Sequence, residues 1–224
     1  MIIDGEEVTF CKEYTFKSIG LHSVLVLLDL SKSTTLQSML YNSELISISF
    51  TEKFNTETIT DMNNMFKSCQ NLTSIELTYF NTKNVLDMSY MFSKCYSLLS
   101  LDLSNFNTKN VKDMTNFFYE CYSLTSIKIS NSFNTQNVLN MTSMFKEGES
   151  LNFIDLSNFD TSKVTIMDDM FSSYYQIKSL DLSKFNTKKV GSMFKMFKKC
   201  YNLNIELSIS NKYTILDSII PPQK

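Results

Sequence analysis

The sequence predicts an α/β solenoid: right-handed, with a parallel strand ladder on one face, short helices on the other, and about six 26-residue repeats. Three observations predict it. An Asn-Thr pair follows phenylalanine at Phe54, Phe80, Phe106, Phe133 and Phe185, and Asp-Thr follows Phe159. The steps between these phenylalanines are 26, 26, 27, 26 and 26 residues, a period that belongs to stacked repeat arrays rather than to a globule with one active site. Within each unit, apolar residues first alternate, as in Leu101-Asp102-Leu103, and then fall three or four apart, as in Val111, Met114, Phe117, Phe118 and Cys121. The first spacing is that of a strand with one face inward, and the second is that of a helical stripe.

Residues 1–44 lie outside the period and predict an amino-terminal cap. Short strands are expected at Val8–Phe10, Tyr14–Phe16 and Ser23–Leu30, and Leu36–Tyr41 reads as the helical half of a decayed repeat. A cap is needed because an open array end exposes apolar columns and unpaired strand edges. Residues 45–202 hold the six repeats. Their strand columns include Ile75, Leu101, Ile127, Ile154 and Leu180, and their helix columns include Met62, Met88, Met114, Met141, Met167 and Met193. The Phe-Asn-Thr corner joins the two halves, since Asn and Thr side chains bond nearby backbone and cap helices. Asp113 is the alternative cap if the helix starts at Met114. Residues 203–224 leave the pattern after a strand starting at Leu203 and end near Pro221-Pro222, which cannot extend a central ladder. They read as a cap or tail.

The chain has 224 residues, 21 basic and 23 acidic, for a net charge of −2. That balance gives no electrostatic footprint for nucleic acid or an anionic membrane. Every basic residue is lysine, so no guanidinium fork is available for bidentate contacts. No signal peptide is visible in residues 1–20, and the apolar run Val24–Leu28 is too short to span a bilayer. Localisation is therefore not legible from the chain.

The combined motif F-N-T-x-N-V-x-D-M-x-x-M-F-x-x-C-x-x-L, as in FNTKNVLDMSYMFSKCYSL at Phe80–Leu98, resembles one branch of leucine-rich repeats. That branch is the BspA-like surface proteins, which share a domain-of-unknown-function repeat with mycoplasma surface lipoproteins. The resemblance covers roughly Leu45 to Leu203. It implies surface display, adhesion and protein binding, and it implies no catalytic residues.

The chemical candidates are repeat columns. Cys69, Cys95 and Cys121 occupy one site in successive units, with Cys200 further on; Gly148 and Tyr174 interrupt them. Packed thiols are the simplest reading, ahead of a disulfide or a metal. With no CxxC and only one histidine, His22, a zinc site is disfavoured. Asp61, Asp87 and Asp113 repeat at a turn or cap position. No nucleotide, hydrolase or metalloprotease motif is present, so no cofactor and no enzymatic chemistry are expected. The outward strand residues Glu76, Asp102, Lys128, Asp155 and Asp181, with the isolated aromatic Phe153, form the expected binding strip for a protein or glycan. A hydroxyl column, Thr78, Ser104, Ser130, Ser157 and Ser183, runs beside it. A tyrosine column, Tyr96, Tyr122, Tyr175 and Tyr201, is a second candidate. The alternative function is a passive structural or antigenic display array.

Overall fold

A computed structural model describes Leu30 and residues 32–203 of the chain, together with the backbone of three short strands before them. Those strands, β1 (Ile2–Ile3), β2 (Glu6–Glu7) and β3 (Val24–Leu25), form an antiparallel sheet in the order β2-β1-β3. The strands expected at Val8–Phe10 and Tyr14–Phe16, His22, and the carboxy-terminal segment from 204 onward, including Pro221-Pro222, lie outside the described residues. Within the repeats, β4 (Ser47–Ser49) pairs in parallel with β5 (Ser74–Glu76), and β6 (Ser100–Asp102) with β7 (Ser126–Lys128). Their central residues Ile48, Ile75, Leu101 and Ile127 face the core while the serines on one side of them face water.

No strand forms at the fifth and sixth expected positions. Ile154, Leu156, Leu180 and Leu182 still turn inward, but they carry no ladder. The ladder stops where the 27-residue unit places Ser132 between β7 and its corner. A cavity of about 20 Å³ opens there, lined by Ile127, Ile129, Ile154, Asp155 and the rings of Phe118 and Phe133 among others.

The expected helices are absent from the described residues, which corrects the reading of the helical stripe. These segments are chains of tight turns. Met65 N–H donates to Met62 O and Lys67 N–H to Asn64 O, each an i to i−3 bond. The intervening groups reach the next unit instead: Met62 N–H to Asp87 O, Asn64 to Ser89, Phe66 to Met91 and Ser68 to Ser93, at 2.8–3.0 Å. An α-helix would use all of these groups along its own axis, but here every second one holds neighbouring units together. The inward spacing of three and four is the same in both arrangements, so the hydrophobic stripe does not distinguish them.

Such a backbone requires left-handed residues. Among the described residues, fourteen non-glycine residues have φ between 53° and 63°. They fall in two columns, Ser38, Asn64, Tyr90, Asn116, Ser143, Asp169 and Lys195, then Asn42, Ser68, Lys94, Glu120, Glu147, Ser173 and Lys199. The conformation costs roughly 1–2 kcal/mol for an L-residue, least where a short polar side chain bonds locally. A ladder of single parallel bridges, Thr35↔Asp61↔Asp87↔Asp113↔Asn140↔Ile166↔Ser192, marks the entry to each turn chain. It also carries the pattern back to Thr35, inside the predicted cap.

The core is a set of columns. Phe66, Phe92, Phe118, Phe145, Phe171 and Phe197 stack with centroids 5.5–5.9 Å apart, in the offset range where ring pairs attract. The Asn-Thr corners form a buried hydroxyl ladder. Thr82 Oγ1 donates to Asn107 O at 3.1 Å and accepts Asn107 N–H at 2.8 Å. Thr56 and Thr161 do the same with Asn81 and Asn186, and Thr108 with Asn134. Each such threonine is fully or almost fully buried, so both of its hydrogen-bonding roles are met inside the protein.

Candidate functional site

The outward strip is built on β4–β7 and the two unpaired segments after them. Ser49 pairs in register with Glu76, and Asp102 with Lys128. Lys128 Nζ lies 2.8 Å from Asp102 Oδ2, and both side chains are mostly exposed. The Lys128 ammonium, with the Ser104 backbone N–H, holds the Asp102 carboxyl down to about 2. This is therefore an internal ion pair, not two separate charges waiting for a ligand.

The other carboxylates are also engaged. Asp102 Oδ1 accepts Ser104 N–H, Asp155 Oδ1 accepts Ser157 N–H and Asp181 Oδ1 accepts Ser183 N–H, all at 2.9 Å. Glu76 does the same for Thr78 N–H at 3.1 Å. Each acidic residue thus closes a turn at the end of its strand position. Their hydroxyl partners hold Asp155 and Asp181 below the usual carboxylate range. The hydroxyl column and the acidic column are one structural device repeated from unit to unit.

Phe153 has no such role. It stands at the site of Ser47, Ser74, Ser100, Ser126 and Ser179 and is 70% exposed. Asp155, two residues on, borders the small cavity, which has room for about one water and none for a ligand. The strip is an open surface.

The four described cysteines are free thiols. Cys69, Cys95, Cys121 and Cys200 donate from Sγ to Leu40, Phe66, Phe92 and Phe171 carbonyls at 3.0, 3.2, 3.1 and 2.9 Å. Burial pushes Cys121 up to about 12 and Cys200 to about 11, which keeps them protonated. Asp61, Asp87 and Asp113 accept the N–H two residues on at 2.8 Å, and Asn140 does so at 2.9 Å. They are turn closers, as the repeat of one residue type predicts. Among the described residues, no group of three or more His, Cys, Asp or Glu is placed to hold a metal, and no helix is long and apolar enough to cross a membrane.

The tyrosine column is real but broken by Glu149. Tyr96 stacks on Tyr122 at 5.1 Å, and Tyr175 on Tyr201 at 6.3 Å. The Tyr96 hydroxyl donates to Glu120 at 3.1 Å and that of Tyr122 to Glu147 at 3.4 Å. Burial and the Glu120 carboxylate raise Tyr96 above its ordinary range. Sequence reasoning missed Glu120 and Glu147 because they sit in a left-handed column that no glycine marks. It also missed Lys67 Nζ over the Tyr90 ring at 4.3 Å.

Identical joints, stacked rings and a surface strip without a pocket define a tandem-repeat protein. The sequence profile described as "Mycoplasma protein of unknown function, DUF285" matches residues 34–131 and 125–217, and the chain belongs to that family. No curated protein and no solved structure matches it.

Proposed function

We propose that the chain is a non-enzymatic interaction module of the leucine-rich-repeat type. In this reading it is a right-handed solenoid akin to the BspA-like surface proteins, binding a protein or glycan through its sheet face. The observation that carries the reading is Phe153. A ring left 70% exposed in a column otherwise made of serine contributes nothing to its own fold and suits the anchor of an interface. Glu76, the Asp102–Lys128 pair, Asp155 and Asp181 surround it as a polar rim.

The test is a binding screen of the full chain against extracellular proteins and glycans, repeated with Phe153→Ser and with Asp155→Lys. A ligand whose affinity falls at least tenfold with either variant supports the sheet face. Ligands indifferent to both variants remove it from consideration. Protease shaving of intact cells tests surface display directly.

The carboxylate–hydroxyl turns support the second reading, a passive spacer or antigenic array, because they give the acidic column a structural purpose. Deleting one 26-residue unit in register separates the two. A spacer tolerates the deletion, and a site spanning several units does not.

A further inference from the structure

The net charge of −2 hides a segregation. Residues 182–203, the greater part of the last described unit, hold six lysines (Lys184, Lys188, Lys189, Lys195, Lys198 and Lys199) and no aspartate or glutamate; Asp181, in the same unit, interacts with Lys184. The rest of the chain carries 15 lysines against 23 carboxylates. The 21 residues that follow this unit carry two charges of each sign, so they do not neutralise it. None of the six lysines is in an ion pair with a described residue.

Two more features share this unit. Phe194 is 61% exposed and Tyr201 is 71% exposed, and Lys195 Nζ sits 4.4 Å from the Phe194 ring centroid, so charge and apolar surface are held together.

We propose that this lysine-rich unit docks against an anionic lipid surface. Lysine ammonium groups beside exposed aromatic rings are the chemistry of the negatively charged bilayer interface. A surface that contacts this unit meets lysines in excess over carboxylates. A long polyanion running along several units would instead meet the carboxylate excess of the earlier ones. Lysine without arginine also disfavours bidentate phosphate reading of a nucleic acid.

The test uses the full chain with vesicles of phosphatidylcholine alone and of phosphatidylcholine with phosphatidylglycerol. Because the chain has no tryptophan, Phe194→Trp introduces a single reporter whose emission shifts to the blue on contact with lipid. Co-sedimentation and a blue shift with the anionic vesicles only, both weakened by salt, are expected. Exchanging the exposed Lys188, Lys189 and Lys198 for glutamine lowers partitioning on the order of 100-fold, with the thermal transition unchanged as the control for folding. Equal binding to both vesicles, no binding, an unaffected triple variant, or capture by heparin without vesicle binding would each overturn the proposal.

Discussion

Tyr174 occupies the space that Gly148 leaves empty. A Cβ built on Gly148 would lie 2.9 Å from Tyr174 Cζ and 3.0 Å from its Oη, and would collide outright with Cε2. The two interruptions of the cysteine column are thus one compensated change: the glycine makes room in one unit for the ring from the next. Gly148→Ala is expected to destabilise by about 1–3 kcal/mol, the cost of overpacking. Gly148→Cys should do so at least as much. The double variant Gly148→Cys/Tyr174→Cys, which restores a continuous thiol column, should be more stable than Gly148→Cys alone. Urea unfolding of the four proteins in a cycle checks the coupling.

The left-handed columns give a sign test. In a helix, Lys94→Gly costs about 1 kcal/mol. Here Lys94 has φ 62°, and its one ion pair among the described residues, with Glu120, is 3.9 Å long, so the relief of backbone strain outweighs what is lost. The variant should gain about 0.5–1 kcal/mol, read as a rise in the urea midpoint.

Thr108 bridges two units through one hydroxyl. Thr108→Val keeps the shape but leaves the Asn134 N–H without its 2.8 Å acceptor. A loss of about 1–3 kcal/mol is expected, with Thr108→Ser recovering most of it.

The Asp102–Lys128 pair has a pH signature. The folded carboxyl titrates near 2, below the unfolded value of about 3.9. Its contribution is therefore complete above pH ~4 and is lost as pH falls toward 2. Exposure and salt screening keep it small. An NMR titration should place Asp102 near 2 in the native chain and higher in Lys128→Gln.

Buried thiols predict inertness. With Cys121 held near 12, the folded chain should react with a maleimide at the buried Cys69, Cys95 and Cys121 only as fast as it opens, and faster at the partly exposed Cys200. Mass spectrometry of the labelled peptides, with and without urea, measures this directly.

The inward columns were legible in the sequence because burial follows spacing: Met62, Phe66 and Cys69 are buried in the register their recurrence gives. The direction of the backbone bonds was not. Spacing of three and four is common to a helix and to these turns. The residues that select the turns, such as Tyr90, Lys94 and Glu120, are ordinary helix formers with no glycine signature. The acidic strip was legible as a column. Its use in closing turns was hidden because Asp102 and Ser104 face the same side of a strand, and only coordinates show which oxygen is taken. The lysine-rich unit was concealed by averaging charge over the whole chain.

The threonine ladder has a mechanical consequence. The joints share this threonine device, but strand pairing is added only at β4–β5 and β6–β7, so the later units should yield first. Pulled from its two ends, the chain should yield in a sawtooth of equal steps. Each step releases 26 residues, roughly 90 Å of contour. The joint between the units of Gly148 and Tyr174 is another place where the force of a step should differ.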